Sequence, residues 1–133
     1  MTNMYRELDD ILQEIGEQDP RYKQEAYEFV LESLSYAQKR FRRPKHVNGK
    51  ELLEGMKILL MEKFGPMTMT VLNHWGICST EDFGNIVFNL VEKKVLSKTD
   101  DDQIESFKNV FDFQKVFDSG YREGLAKKIS RMR

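Results

Sequence analysis

Residues 64–96 read FGPMTMTVLNHWGICSTEDFGNIVFNLVEKKVL, and this stretch decides the fold that the sequence predicts. It holds the chain's single tryptophan and its single cysteine. Its apolar residues recur at helical spacing, which predicts a short helix over 67–75 and a longer one from about 80 to 94. Gly76 suits the end of the first helix, and Ser79 suits the cap of the second.

Three further helices are predicted before this stretch. Apolar residues recur at intervals of three or four in three segments: 5–15, about 20–42, and 49–63. Asp19 and Pro20 predict the start of the second of these helices, because aspartate caps free backbone amides and proline loses no needed donor at the first helical position. Asn48, followed three residues later by Glu51, predicts a capping box at the start of the third.

The chain after Leu96 predicts a short β-hairpin and then a helical turn over 113–117. A weak alternation over 94–99 and 104–111 indicates two strands, with the acidic run at 100–103 as their turn. A short helix, a glycine turn, a longer helix and a hairpin resemble the winged helix-turn-helix layout. The predicted fold class is therefore mainly α: a small helical domain with a winged-helix-like centre and a short β-hairpin. A plain helical bundle with a hairpin is the alternative.

The length of 133 residues predicts one domain. Residues 1–120 form the helical domain, and 121–133 form a basic C-terminal tail that is helical or frayed. Seven residues are assigned structural roles in caps, turns and packing: Asp19, Pro20, Gly65, Pro66, Trp75, Gly76 and Gly84. A glycine inside a helix costs about 1 kcal/mol against alanine. Gly84 therefore indicates the close approach of another backbone, or else a tolerated weak spot.

The composition is that of an ordinary globular protein, with 40% hydrophobic and 32% charged residues. No apolar run reaches the roughly 18 residues that a membrane span needs. The N-terminus lacks the basic and apolar regions of a secretory signal. Cys78, as the single cysteine, forbids an internal disulfide and fits a reducing compartment. We therefore expect a cytoplasmic protein with no membrane partner.

The chain resembles an uncharacterised bacterial conserved-hypothetical family known from planctomycete and verrucomicrobial proteomes. Three segments carry the resemblance: DPRYKQEAYEFVLESLSYAQKR (19–40), HVNGKELLEGMKILLMEKFGPMTMTVLNHWGI (46–77) and STEDFGNIVFNLVEKKVLSKTDDD (79–102). The match covers roughly residues 19–117, and the tail after Gly120 departs from it. The resemblance implies a small soluble bacterial protein, and it supplies no catalytic residue, cofactor or partner.

Catalytic and metal chemistry find little support in the sequence. His74, Cys78 and Asp82 lie four residues apart, which invites a nucleophilic triad, but triad members normally come from separate elements. The alternative is that Cys78 is a small, partly buried residue, His74 packs or forms a hydrogen bond beside Trp75, and Asp82 caps the fifth helix. Two distant histidines and one cysteine build no zinc site, and the acidic loop lacks the ligand pattern of a calcium site. Phosphate-binding glycine motifs do not occur. We predict no enzyme, no metal and no cofactor.

Basic residues suggest a macromolecule-binding surface. The candidate residues lie at the end of the second helix and in the tail: Lys39, Arg40, Phe41, Arg42, Arg43, Lys45, Lys127 and Lys128. Arginine side chains form strong hydrogen bonds to phosphates, which favours a binding surface. The alternative is a solvated helix end without a partner, because the helix dipole favours cations at the carboxyl end of any helix. The fifth helix offers Glu81 and Asp82 near its start, and these acids would repel DNA phosphates.

A surplus of large apolar residues points to a protein partner. Ten side chains make up this surplus: Met56, Met61, Met67, Met69, Trp75, Phe88, Phe107, Phe111, Phe113 and Phe117. A small domain that cannot bury them all would expose an interface, whereas a well-filled core is the alternative. We predict a non-catalytic macromolecule-binding module whose partner is another protein or a second copy of the chain. The alternative is nucleic-acid or ribosome binding through the basic segment 39–46 and the basic tail.

Overall fold

The computed structural model describes residues 4–43, 47–96 and 107–119, and these are mainly helical, as predicted. The elements follow one another along the chain: α1 (Met4–Gln18), α2 (Gln24–Arg40), α3 (Gly49–Phe64), a 3-10 turn (Gly65–Met67), α4 (Thr68–Trp75), α5 (Thr80–Glu92) and a C-terminal π-helix (Gln114–Ser119). Within these three ranges, no helix is both long and apolar enough to cross a membrane.

Helix α2 is the central packing element. It contacts α1, α3, α4 and α5. Its closest approach is to α3, where a Cβ added to Gly55 would stand 3.0 Å from the Cβ of Ala37. Trp75, at the end of α4, packs against Phe29 of α2 and Phe64 of α3, with ring centroids 5.3 and 5.7 Å away. The buried side chains form one cluster that reaches from α1 to the π-helix.

The predicted capping box at the start of α3 is confirmed, and a second capping box is found at the start of α5. The side chain of Asn48 accepts from the backbone amide of Glu51 at 2.8 Å, and the Glu51 carboxylate accepts from the backbone amide of Asn48 at 3.1 Å. Ser79 and Asp82 form the same arrangement at the start of α5. Such reciprocal bonds satisfy amides that the first helical turn leaves free.

The predicted start of α2 is wrong. Helix α2 begins at Gln24, with Lys23 rather than Asp19 in the capping position. Asp19 and Pro20 instead belong to a turn, because the Asp19 carboxylate is bound by the guanidinium of Arg21 at 2.8 Å through both oxygens. Similarly, α1 continues to Gln18, beyond the predicted end at residue 15.

The corner between α4 and α5 is built on Gly76, and the corner between α3 and α4 is built on Gly65. Gly76 has φ 87°, the left-handed conformation that the sequence predicted for the end of α4. Gly65 also has a positive φ, of 48°, and Pro66 follows it in the 3-10 turn. A Cβ on Gly76 would lie 2.1 Å from the carbonyl oxygen of Arg21. The turn that contains Arg21 therefore packs directly against Gly76 at the α4–α5 corner. The backbone amide of Lys23 donates to the carbonyl of Trp75 at 3.2 Å.

The predicted β-hairpin is not seen in the described residues. Of its first strand, Lys94 to Leu96 form a turn and a bend; of its second, residues 107–110 form a 3-10 turn and bends. Positions 97–106 lie outside the described residues. The close approach predicted at Gly84 is present, but the neighbour is a side chain: a Cβ there would stand 2.9 Å from the Cβ of Phe107.

Candidate binding surfaces

Polar side chains on α5 face α2 and the turn before it. Asn85 donates to the hydroxyl of Tyr22 at 3.0 Å, and Tyr22 in turn donates to Asp82 at 2.5 Å. One turn further on, Asn89 donates to Tyr27 at 3.0 Å and to Asp19 at 2.9 Å. The side chains that a helix-turn-helix protein would use to contact bases are thus engaged within the molecule.

A second face of α5 is covered by the segment 107–113. Phe107 is 1% exposed and packs against Gly84, and the amide of Val110 donates to the hydroxyl of Thr80 at 3.2 Å. A recognition helix needs a free face to enter the major groove. The side chains that α5 leaves at least partly to solvent include Phe88 and the acids Glu81 and Glu92, and these acids would repel DNA phosphates. The structure thus agrees with the sequence in arguing against binding of α5 in the major groove of DNA.

The environment of Tyr22 and Asp19 alters their ionisation. Burial, together with the hydrogen bond to Asp82, raises the pKa of Tyr22 to about 12. The bidentate contact from Arg21 holds the pKa of Asp19 well below its ordinary value, although burial opposes this effect. The neutral phenol and the carboxylate are the forms that the folded protein favours, so both groups act here as structural hydrogen-bonding partners.

The three residues considered for a catalytic triad do not form one. Both oxygens of Asp82 are engaged: one by Tyr22, the other by the backbone amides of Cys78 and Ser79 at 2.7 and 3.2 Å. His74 is exposed on α4 and does not pack into the core beside Trp75. Over the part of the chain that the structure describes, no hydrogen bond links His74 to Asp82 or Cys78. Asp82 therefore caps α5, as the alternative interpretation predicted, but Cys78 is exposed and not partly buried.

Histidine, cysteine and carboxylate side chains do not gather elsewhere either. Within residues 4–43, 47–96 and 107–119, no group of three or more such residues is placed to hold a metal ion.

Four cationic side chains form a surface at the carboxyl end of α2, which we call the basic end: Lys39, Arg40, Arg42 and Arg43. All four are exposed. The backbone amides of Arg42 and Arg43 donate to the carbonyls of Lys39 and Gln38, at 3.4 and 2.8 Å, which is the Schellman pattern of helix termination. Arg42 occupies the left-handed position (φ 55°) that glycine usually takes in this motif. The hydrogen-bonded cap fixes the backbone that carries these cations.

Not every residue predicted for the basic surface belongs to it. Phe41 is half-buried and packs against the core, so it is not an exposed aromatic between the cations. Arg43 is partly neutralised by Glu51, whose carboxylate lies 3.2 Å from its Nε. Lys45, Lys127 and Lys128 lie outside the described residues.

A cleft of about 440 Å³ opens beside the α4–α5 corner, and we call it the corner cleft. Its lining comes from α4, the corner and the segment before the π-helix: Met69, Cys78, Ser79, Asn109, Phe111, Asp112, Phe113 and Gln114. Phe111, Phe113 and Phe117 pack on one another with ring centroids 5.6–5.8 Å apart, which gives the cleft an aromatic base. Asp112 caps the π-helix by accepting from the amide of Lys115 at 3.0 Å.

The chain matches no protein-family model, no curated protein and no solved structure.

The surplus of apolar residues is mostly absorbed by the core. Met56, Phe107, Phe113 and Phe117 are each at most 5% exposed, which favours the alternative of a well-filled interior. The exceptions in the described residues are Met67 and Phe88, which are 55% and 45% exposed, and half-buried side chains such as Met69. Met67 belongs to the 3-10 turn that contacts the π-helix, on the side of the molecule where the corner cleft opens.

Sequence reasoning did not find the corner cleft. Its walls join residues about 30 to 45 positions apart, and the turn that brings Asn109 back to the corner was interpreted as a strand. Asn109 has a positive φ of 49°, which a turn accommodates and a strand does not. The available signal was the cluster of phenylalanines at 107–117 next to this asparagine.

Proposed function

We propose that the protein is a non-catalytic interaction module that binds another protein through the corner cleft. The observation that carries this proposal is the cleft's lining, which combines large apolar side chains with polar ones: Met69, Phe111 and Phe113 with Cys78, Ser79, Asn109, Asp112 and Gln114. Methionine and aromatic residues are enriched in protein interfaces, where polar groups supply hydrogen bonds beside them. The occupant we infer is a large apolar side chain on a partner's loop or helix.

Exposed Met67 supports the same proposal. An exposed methionine near a cleft offers a flexible apolar contact that adapts to a partner's surface. Val110, which is 38% exposed, directly follows the cleft residue Asn109. A partner that fills the cleft would reach this residue as well, so the proposed contact area extends beyond the cleft itself.

Nucleic-acid or ribosome binding is the second candidate, and the basic end of α2 is the observation that favours it. Arginine and lysine on a fixed helix end suit phosphate contacts. This candidate predicts binding to mixed RNA and DNA that weakens steeply with salt. Charge reversal at Arg40, Arg42 and Arg43 would abolish that binding, whereas a change in the corner cleft would not.

The single cysteine offers a direct test of the corner cleft. A photoreactive maleimide placed on Cys78 is activated in extract from the source cell, and the cross-linked protein is identified and purified. Its affinity is then measured for the unmodified protein and for Met67→Glu. We expect Met67→Glu to weaken binding by about tenfold or more, since a charge in an apolar interface is costly. Added salt should change the affinity little.

Two controls make the test specific. Ser35→Glu places the same charge on an exposed position of α2, outside the cleft, and should leave the affinity unchanged. The cross-linker attached to Ser35→Cys, with Cys78→Ser, should not yield the same adduct. Equal binding by Met67→Glu, or a partner captured from both labelling positions, would contradict the proposal.

The remaining expectations belong to this proposal. A cytoplasmic location is supported by the single cysteine. Membership of the bacterial conserved-hypothetical family is supported by the three sequence segments that resemble it. The order of α3, α4 and α5 is that of a winged-helix-like centre, but the described residues after α5 form a turn and contain no strand of a wing.

A further inference from the structure

The basic end of α2 is a second surface, separate from the corner cleft. Within the described residues, no ion pair includes Lys39, Arg40 or Arg42, and only Arg43 has a carboxylate neighbour. These cations stand on the last turn of a helix whose backbone is fixed by a Schellman cap. They are therefore fixed in position and available to a partner that carries negative charge.

Helix α1 carries the matching charge. From Glu7 to Asp19 the sequence has six acidic residues and no basic one, namely Glu7, Asp9, Asp10, Glu14, Glu17 and Asp19. Four of them recur at helical spacing and are exposed: Glu7, Asp10, Glu14 and Glu17. The opposite side of α1 is apolar, with Leu12 and Ile15 only 1% and 2% exposed. We call these four exposed acids the acidic stripe. The stripe faces solvent because the apolar side of α1 packs on the core.

Helix α1 contacts α2 near the first turn of α2, away from the basic end. The side-chain amide of Gln24, the first residue of α2, donates to the carboxylate of Asp9 in α1 at 3.4 Å. Glu14 of α1 forms an ion pair with Lys93 at the end of α5. The basic end begins at the other end of α2, and a helix of 17 residues is about 25 Å long. We propose that the basic end binds the acidic stripe of α1 on a second copy of this chain.

The charge balance favours a second copy over nucleic acid. The chain has 21 basic and 22 acidic residues, a net charge of −1, whereas domains that bind nucleic acid are usually strongly basic. A polyanion extending from the basic end would meet the acidic surface of α1 within about 25 Å and be repelled there. A second copy presents a short acidic stripe instead. Because the two surfaces are different patches, the contact is heterologous and lets further copies add.

Charge reversal at each surface provides the test. One variant, Arg40→Glu with Arg42→Glu, makes the basic end acidic; the other, Asp10→Lys with Glu17→Lys, makes the stripe basic. Sedimentation velocity at about 20 mM and about 500 mM salt should show that the unmodified protein associates at low salt only, because exposed charges are screened at high salt. Each variant alone should remain monomeric, and their equimolar mixture should associate again at low salt.

The mixture separates a lost contact from a lost fold, because a misfolded variant would not restore association. Lys108→Glu with Lys115→Glu makes the same change of charge on exposed residues elsewhere and should associate like the unmodified protein. The proposal is overturned if the unmodified protein is monomeric at low salt, if association persists at high salt, or if the mixture stays monomeric. Salt-sensitive binding of a monomeric protein to a short RNA, lost in the basic-end variant, would assign that surface to nucleic acid. None of these results would affect the corner cleft.

Discussion

At the scale of single residues, Gly76 is a position that tolerates no side chain. Its φ of 87° is left-handed, and any Cβ would meet the carbonyl oxygen of Arg21 at 2.1 Å. We expect Gly76→Ala to lower the free energy of unfolding by about 3 kcal/mol or more, since backbone strain and a backbone clash add. Urea denaturation followed by circular dichroism measures this change.

Gly16 is the matched control for this substitution. It lies inside α1, its φ is not positive, and an added Cβ meets no atom within 4 Å. Gly16→Ala should raise the free energy of unfolding by up to about 1 kcal/mol, because alanine is the better helix former. Similar losses at Gly76 and Gly16 would contradict the role given to the α4–α5 corner.

Tyr22 should make the protein sensitive to alkali. Its pKa is raised to about 12, mainly by burial, so the folded protein disfavours the phenolate. The stability that this contributes is complete below the ordinary tyrosine pKa of about 10 and is lost as pH rises through 12. Tyr22→Phe removes this dependence. Between pH 10 and 11.5, urea denaturation should show a shallower fall in stability for the variant than for the unmodified protein.

The same variant at pH 8 supplies the control. At pH 8, the free energy of unfolding of Tyr22→Phe reflects only the loss of the hydrogen bonds to Asp82 and Asn85, which we expect to lower it by about 1 kcal/mol. Parallel curves for the two proteins from pH 8 to 11.5 would show that Tyr22 does not titrate with folding.

At the scale of elements, the helices were predictable from the sequence where a local signal specified them. Asn48 and Glu51 are bonded as predicted, because a capping box needs only residues three apart. Ser79 stands at the cap of α5 as predicted, and its box with Asp82 has the same local spacing. Asp19 misled the prediction because its carboxylate is taken by Arg21, which lies two residues away, and by Asn89. That competition involves a residue 70 positions distant, which no local pattern contains.

The two candidate surfaces also differ in how far the local sequence predicts them. The basic end follows from consecutive residues, so the sequence located it, although burial of Phe41 depends on tertiary packing. The corner cleft depends on the return of the chain to α5 after residue 106, and the sequence contains only a weak, misleading alternation there. The glycine at position 84 did predict a close contact, but not that Phe107 would provide it.

Docking of the segment 107–113 on α5 is the element-scale prediction. A Cβ at Gly84 would stand 2.9 Å from the Cβ of Phe107, so Gly84→Ala should push this segment away and lower stability by about 1–3 kcal/mol. Hydrogen exchange should increase in residues 107–117 and change little in α3. A more stable variant, as the helix propensity of alanine alone would give, would show that the contact at Gly84 is loose.

At the scale of the whole molecule, the core is continuous from α1 to the π-helix. Leu12 of α1 and Phe117 of the π-helix are 1% and 2% exposed and belong to the same buried cluster. Helix α2 connects the parts of this cluster because it contacts four other helices. A continuous core in a chain of this size usually unfolds in one cooperative transition.

Cooperative unfolding can be measured because the single tryptophan lies between α2, α3 and α4. Trp75 is 7% exposed and packs on Phe29 and Phe64, so its fluorescence reports this region alone. Phe113 lies outside that contact, against Phe83 and Phe117 at 6.0 and 5.6 Å. Phe113→Ala should destabilise the protein by about 3 kcal/mol or more. Fluorescence and far-UV circular dichroism should shift together to the same lower urea midpoint. If the fluorescence midpoint stayed in place, the C-terminal segment would be a separate unit, and the corner cleft would join two independently folding parts.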